Sequence, residues 1–302
     1  MEYIIETNKV SKSFSGKKIL DEITLKVKQG SVYGFLGNNG AGKSTTIRIL
    51  LGLLTFDRGD VTIFGDKITP SNAAYKQHIG CIIDSPVLYE HLNADEFLQI
   101  TRLLKNLPKT EISRVLEIVG LSDNKKLTIS NYSLGMKQRL AIANSLMGQP
   151  KLLILDEPTN GLDPQGIIDV RNLLKNLPEQ GDCTVFLSSH LLDEVEKIAT
   201  HVGAIQQGKM IFQQSLSDLI SDPHGCLSLE ITKPKLALDL LTSNGFSLDI
   251  QSNSQINISK IEKQHCPSVH QLLINNNIEI FQSRYQASSL EQCFQQFNQQ
   301  AN

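Results

Sequence analysis

The stretch from Gly37 to Thr45, GNNGAGKST, constrains this chain more than any other. A strand-like run, Ser31 to Leu36, leads into it, and Ser44 to Leu50 follows with helix-compatible residues. Strand, glycine-rich turn and helix start together describe a phosphate loop. Gly37, Gly40 and Gly42 let the backbone curl with its N–H groups inward, where side chains would block a phosphate chain. The helix start adds unpaired N–H groups and the positive end of the helix dipole. Lys43 is then placed to reach the β- and γ-phosphates of a nucleotide, and the Ser44 hydroxyl to sit on Mg2+. The bland alternative is a structural turn that happens to carry a lysine. It explains neither the full G-x-x-x-x-G-K-S/T spacing nor the flanking strand and helix.

The 302 residues suffice for one large α/β domain and a small second one. Lys and Arg number 29 against 31 Asp and Glu, a formal net charge of -2, so the basic footprint of a nucleic-acid binder is missing. The longest apolar candidate, Ile47 to Phe56, is broken by Arg48 and Gly52 and falls short of the ~18 residues of a membrane span. A chain soluble by itself is expected. The first residues, MEYIIETNKV, are too polar for a signal peptide. Cys81, Cys183, Cys226, Cys266 and Cys293 form no C-x-x-C pair and have no His at zinc-ligand spacing. They read as buried free thiols in a reducing cytosol.

Alternating apolar residues predict strands over Tyr3 to Thr7 and Ile23 to Val27, around a polar turn at Ser15 to Lys18. Phe14, just before that turn, fits a purine-stacking aromatic and an ordinary core residue equally well. Ser44 to Leu54 is predicted as a buried helix, Val61 to Phe64 and Ile79 to Ile83 as strands. From Tyr89 to Met147 the spacing turns helical, with apolar residues at Phe97, Leu98, Ile100, Leu103 and Leu104. An inserted helical subdomain over about residues 85–148 follows. It closes with a polar turn, Asn131 to Gln138, that opens a helix over Arg139 to Met147. Leu152 to Leu155 is an unbroken apolar run, as in a parallel strand buried on both faces, with Asp156-Glu157-Pro158 at its end. Beyond a helix at Ile167 to Leu177, a second buried strand, Thr184 to Leu187, ends at Ser188-Ser189-His190. Leu191 to Ala199 reads as a helix, and Val202 to Phe212 as a hairpin turning at Gln207-Gly208.

Near Gln213 the composition shifts toward Asn, Gln and Ser, which sets a nucleotide-binding domain over 1–213 and an accessory α+β domain over 214–302. In the second, strands at Leu227 to Ile231, Ser247 to Ile250, Gln255 to Ile258 and Ile278 to Phe281 alternate with helices at Lys233 to Leu241 and Val269 to Ile274. That is β-α-β-β-α-β, a ferredoxin-like order. A last amphipathic helix, Ser289 to Phe297, is expected to be capped by Ser288 or Ser289 and to turn Leu290, Cys293, Phe294 and Phe297 to one side.

An open parallel sheet presents its ligand groups beyond the carboxyl ends of its strands. Three such ends carry the phosphate loop, the Asp156-Glu157 pair and His190. Asp156 is placed to hold Mg2+ through its water shell, and Glu157 to orient a water for in-line attack on the γ-phosphate. For the pair the alternative is a solvated turn. A lone His is more often structural than catalytic, so both roles stay open for His190.

These residues resemble the nucleotide-binding subunit of an ABC transporter, over roughly Tyr3 to Phe212. GNNGAGKST resembles the Walker A motif of that family, and LLILDEP its Walker B with the catalytic glutamate. YSLGMKQRL resembles the signature, usually LSGGQ, that separates ABC ATPases from other phosphate-loop proteins. Asn160 to Asp163 resembles the D-loop, and Ser188 to His190 the switch histidine. The implied fold is α/β: a phosphate-loop NTPase core with a mixed, largely parallel sheet, an antiparallel β portion and the helical insertion. The implied ligands are ATP and Mg2+. Asn38, Asn39, Ala41 and Thr45 would join the glycines, Lys43 and Ser44 around the phosphates, and Phe14 would stack on adenine. Glu157 would polarise the water and His190 contact the γ-phosphate. Two copies would dimerise head to tail, each ATP held between the phosphate loop of one and Ser133 and Gly135 of the other. The remaining partner would be a separate integral membrane permease on the inner face of the cell membrane.

Two departures from the family pattern stand out. Leu134 and Met136 replace the small residue and the Gln of the signature, while Ser133 and Gly135 stay. Asp84 stands where most of the family has the Q-loop glutamine; aspartate is shorter, anionic and accepts only. Either Asp84 is a strand-ending turn residue, or it belongs to a variant switch loop near the Mg2+ shell, similar to the acidic loop of bacitracin-type and lantibiotic-immunity ATPases. The layout of one ATPase domain and a small C-terminal domain also resembles those export subunits. It implies an ATPase that drives export of an antimicrobial peptide or drug-like substrate. The alternative is a non-transport ABC-type ATPase acting as a nucleotide-switched dimerising module.

Overall fold

The computed structural model describes residues 2–69, 72–84, 87–181, 183–220, 224–250, 255–286, 289–291 and 293–294. The chain divides into two compact units, Met1–Ser215 and Leu216–Asn302.

In the first unit, β1 (Tyr3–Phe14) and β2 (Lys17–Lys28) pair antiparallel around Ser15 and Gly16, both in the left-handed region. β3 (Val32–Leu36) is buried throughout and feeds α1 (Lys43–Leu50). That helix stops short of the predicted Leu54. Gly52 takes φ 61, its N–H donates to Ile49 O (2.9 Å), and Leu53 N–H donates to Arg48 O (2.8 Å). This is a Schellman stop, which leaves Leu53 outside the helix and exposed. β4 (Arg58–Ile63) and β5 (Asp66–Lys67) complete an antiparallel sheet in the order β2-β1-β4-β5.

β6 (Ile79–Ile82) is followed by the helices α2 (Ala94–Leu104), α3 (Thr110–Ile118) and α4 (Leu134–Ser145). Asn93 and Glu96 start α2 with a capping box, satisfying two N–H groups reciprocally. The predicted polar turn before Arg139 is already helix. Ser133 caps α4 by accepting the Met136 N–H at 3.2 Å, so helical geometry begins at Leu134. β7 (Leu152–Asp156), α5 (Pro164–Gly181), β8 (Thr184–Ser189), α6 (Leu192–Glu196), β9 (His201–Gln206) and β10 (Lys209–Ser215) follow. α6 is shorter than the helix predicted over Leu191 to Ala199. β9 and β10 form the expected hairpin at Gln207 and Gly208, both at positive φ.

The second sheet has the order β10-β9-β3-β8-β7-β6; all pairs are parallel except β10 with β9. The core lies between the two sheets. Tyr33, Phe35, Leu152, Ile154 and Phe186 meet Ile47, Ile49 and Leu50 of α1 and Leu20, Ile23 and Leu25 of β2 in one buried cluster. Phe186 stacks on Tyr33 with ring centroids 5.6 Å apart. Burying each such side chain stabilises by about 1.5–3 kcal/mol relative to leaving it exposed. The cluster therefore fixes β3, β7 and β8 side by side.

The second unit contains α7 (Leu216–Ile220), β11 (His224–Ile231), α8 (Pro234–Ser243), β12 (Ser247–Ile250), β13 (Gln255–Glu262), α9 (Cys266–Asn275) and β14 (Ile280–Gln286). Its antiparallel order, β12-β13-β11-β14, is that of a ferredoxin-like sheet. Leu227, Leu229, Ile231, Ile256 and Ile258 pack on Ala237, Leu241, Val269 and Leu273 of the helices. Ile278, predicted to open the last strand, instead closes α9. Asn277 at φ 54 reverses the chain, and Ile278 N–H returns to Leu273 O at 3.1 Å. Leu290 and Phe294 of the last predicted helix are buried, whereas Ser288 and Phe297 lie outside the described residues. Of the cysteines expected to be buried, Cys81 is exposed on β6, an edge strand; Cys183 and Cys266 are buried. Burial pushes the Cys183 thiol up to about 12.

Candidate active site

Strand register gathers the predicted residues at one edge of the parallel sheet. Leu36 of β3 pairs with Ser189 of β8, and Asp156 of β7 pairs with Ser188. Side chains alternate along a strand, so Asp156 continues the core-facing row of Leu152 and Ile154, and Ser188 that of Phe186. The apolar cluster thus aims a carboxylate and a hydroxyl at each other just past its rim.

The loop after β3 is tightly seated at its base and open at its tip. A Cβ on Gly37 would lie 2.5 Å from Ile205 O, and one on Gly42, at φ 114, would lie 2.6 Å from Leu20 Cδ2. Both positions need glycine. Ala41 N–H donates to Asn38 O (3.1 Å), and Ala41 O accepts from Gly208 N–H (3.0 Å). Asn38, Asn39 and Gly40 are exposed, and a Cβ on Gly40 would meet nothing within 4 Å. The helical ladder of α1 opens with Thr46 N–H donating to Gly42 O at 2.9 Å. The N–H groups of Lys43, Ser44 and Thr45 precede that ladder and are the groups a helix start offers an anion. Lys43 Nζ donates to Gly37 O (2.6 Å) and Asn38 O (3.4 Å).

The same ammonium lies 3.2 Å from Glu157 Oε1, an oxygen sealed from solvent and without an aligned hydrogen bond. The other oxygen, Oε2, accepts from His190 Nδ1 at 2.8 Å. An ionised carboxylate only accepts, so the imidazole proton sits on Nδ1 in this contact. His190 is thereby brought into the site and oriented by Glu157. Glu157 itself takes φ 49, a left-handed conformation that costs a non-glycine residue about 1 kcal/mol or more. Its N–H donates to Ser188 Oγ (3.0 Å), and Ser188 Oγ–H donates to Asp156 Oδ1 (2.5 Å).

A triphosphate fits this set: an open loop tip, free N–H groups and a lysine at the helix start. Mg2+ prefers hard oxygen ligands, and the Ser44 hydroxyl and the buried Asp156 carboxylate are of that kind.

Phe14 is 46% exposed, which removes the core alternative. The Lys12 ammonium sits 5.4 Å from its ring centroid. Asp57 holds this strand end in place: Lys12 Nζ donates to its Oδ1 (2.9 Å) and Ser13 N–H to its Oδ2 (2.7 Å). Those two bonds, the lysine first, hold the Asp57 carboxyl below the usual carboxylate range.

Ser133 and Gly135 stand apart from these residues. Among the described residues no hydrogen bond or ion pair links them to the phosphate loop; Leu134 and Gly135 meet Gly161 and Gly166 instead. A Cβ on Gly135 would lie 3.5 Å from Gly166 Cα, and one on Gly161 would lie 3.6 Å from Leu134 Cδ2. Asp163 caps α5, its Oδ1 accepting from Gly166 N–H at 3.1 Å. Two helix starts therefore lie side by side, with Ser133 and Leu134 exposed.

Asp84, at φ 56 beyond β6, accepts from Arg48 Nη2 of α1 at 3.2 Å. Among the described residues it makes no hydrogen bond or ion pair with Ser44 or Asp156. Sequence reasoning missed Arg48, which carried no signal beyond its charge. It also passed over Ser188 as a partner of Asp156. The available signal was its place at the end of the predicted buried run, one strand-period beyond Phe186 and so on the same face.

Fold and site together define a phosphate-loop nucleoside triphosphatase of the ABC type. The family model described as ABC transporter matches residues 20–160. An uncharacterized ABC transporter ATP-binding protein of Bacillus subtilis, YhcH, is 39% identical over 295 residues, covering 97% of this chain and 95% of that protein. The bacitracin transport ATP-binding protein BcrA of Bacillus licheniformis is 37% identical over 297 residues, 97% of each chain. Among solved structures, cbiO1 from Clostridium perfringens, part of the cbiONQ complex, superimposes with a TM-score of 0.69 and 26% identity over 80% of this chain and 96% of that one. This chain belongs to the ATP-binding proteins of ABC transporters, and it is an ATPase. Members of that family work with membrane permeases. No helix among the described residues is long and apolar enough to cross a membrane.

Proposed function

We propose that this ATPase powers export of an antimicrobial peptide of the bacitracin class through a separate membrane permease, on the inner face of the cell membrane. The contact of Lys43 and His190 with the two oxygens of Glu157 carries the hydrolytic part of this reading. The 37% identity to a bacitracin transport protein, over 97% of both chains, supports the substrate class.

In this reading residues 1–213 are the nucleotide-binding domain and 214–302 an accessory domain. Lys43 and the N–H groups of Gly37 to Thr45 bind the β- and γ-phosphates. Ser44 and Asp156 hold Mg2+, which when bound neutralises charge developing on the transferred phosphoryl group. Glu157 holds and polarises the attacking water, while His190 fixes Glu157 and contacts the γ-phosphate. Phe14 offers its exposed ring to adenine. A second copy of the chain completes the site: its Ser133 and Gly135, at the start of α4, aim N–H groups at the γ-phosphate. Asp163 lies in the same interface. Asp84 passes the nucleotide state to the permease.

The test is expression with the cognate membrane subunit in a bacitracin-sensitive host. Wild-type protein raises the inhibitory concentration and Glu157→Gln does not. An active ATPase that confers no resistance to any peptide of this class contradicts the substrate assignment.

A further inference from the structure

We propose that Ser188 is a positioning residue that sets the Asp156 carboxylate for Mg2+ and the Glu157 backbone for hydrolysis at the same time. The inference rests on the reading of Asp156 and Glu157 given above and adds to it a residue outside the nucleotide contacts.

Ser188, the second-last residue of β8, is 0% exposed, so its hydroxyl cannot turn to water. Its proton goes to Asp156 Oδ1 at 2.5 Å, and its oxygen accepts the Glu157 N–H at 3.0 Å. One hydroxyl thus donates to and accepts from two consecutive residues of the neighbouring strand end. The bond to Oδ1 fixes the rotation of the carboxylate and leaves Oδ2 outside it. The bond from the Glu157 N–H holds the peptide at the one point in this turn where a non-glycine residue is left-handed, φ 49. Asp156 and Ser188 are direct partners in the parallel ladder, and Phe186, two residues earlier, is locked between Tyr33 and Phe35. The hydroxyl therefore sits on a rigid support. A shift in the Asp156 carboxylate must be felt at Glu157 through this single oxygen. Partners of this kind, one step removed from the metal, commonly govern both affinity and rate.

Mn2+, a paramagnetic stand-in for Mg2+, reads the metal side directly. Mn2+ binding is measured by electron paramagnetic resonance on the full chain with ATP present, in a Glu157→Gln background that keeps ATP intact. Adding Ser188→Ala weakens Mn2+ binding by about 10- to 100-fold. In the chain that retains Glu157, the same change lowers turnover at saturating metal by a similar factor. ATP affinity measured without metal stays within about twofold, since the loop contacts are untouched. Ser188→Thr keeps the hydroxyl and restores both values. Wild-type Mn2+ affinity in Ser188→Ala, or equal losses in Ser188→Ala and Ser188→Thr, overturns the proposal, the second because it indicates packing alone. If Ser188→Ala fails to fold, the near-isosteric Ser188→Cys takes its place, and wild-type Mn2+ affinity there overturns it equally. Failure of the hydrolytic reading is separable, because it shows as normal turnover in Glu157→Gln whatever Ser188 does.

Discussion

Lys43 Nζ lies 3.2 Å from Glu157 Oε1, so the lysine of the phosphate loop and the carboxylate proposed to polarise water share one ion pair. The lysine side chain is buried and also donates to Gly37 O. A phosphate entering the loop competes with Glu157 for this ammonium. With Glu157 as the proposed base, binding and activation are coupled by electrostatics: a γ-phosphate that draws Lys43 away would leave Oε1 free to accept from water.

Phe14 is exposed and contributes little to the core, so Phe14→Ala leaves the melting temperature of the nucleotide-free protein unchanged. ATP affinity falls by about 1–3 kcal/mol, the worth of one aromatic–base stack. Binding of inorganic triphosphate, which has no base, is unaffected. Titration of a fluorescent ATP analogue, with triphosphate as competitor, checks this. Equal losses for both ligands contradict it.

The Arg48–Asp84 pair joins two exposed side chains and is worth less than about 1 kcal/mol. Asp84→Ala and Asp84→Gln accordingly melt like the wild type. Both change the ratio of transport to hydrolysis in membranes containing the permease. Unchanged coupling in both variants contradicts a role for Asp84 in passing the nucleotide state on.

Asp163 caps α5 through Gly166 N–H. Asp163→Ala costs about 1 kcal/mol. For a domain of this size that lowers the melting temperature by about 2–4 °C. Asp163→Asn retains most of the cap. Calorimetry on the full chain that finds the two variants equally stable contradicts the capping role.

Much of the site was legible because its residues are contiguous. The loop Gly37 to Thr45 and the run from Leu152 to Glu157 each carry their local structure in their own spacing. The rest depends on partners far away in sequence. The Ser188 to Asp156 bond exists only once β7 and β8 are paired in register, and nothing within either segment states that register. Arg48 and Asp84 meet because α1 and β6 are neighbours in space. Two of the boundary errors share a cause: Gly52 and Asn277 reverse the chain in left-handed caps, while the apolar residues just beyond them, Leu53 and Ile278, continue the periodicity.

Glu111 is buried on α3, where Arg114 donates to it foremost and Gly148 N–H adds a bond; together they lower its pKa from the ordinary 4.5. A carboxyl that titrates lower in the native state stabilises the fold above pH 4.5 and loses this contribution as pH falls through the native value. Glu111→Gln is less stable than wild type at neutral pH by roughly 1–3 kcal/mol. The difference shrinks below pH 4.5. Melting curves against pH that run parallel for the two proteins contradict this.

The composite site with Glu157 as its base is tested most directly by light scattering and turnover on Glu157→Gln with ATP and Mg2+. The variant should bind ATP, cease to hydrolyse it, and shift from one copy to two as ATP is added, with Ser133→Ala weakening that shift. Wild-type turnover in Glu157→Gln, or a mass that ignores ATP, contradicts it.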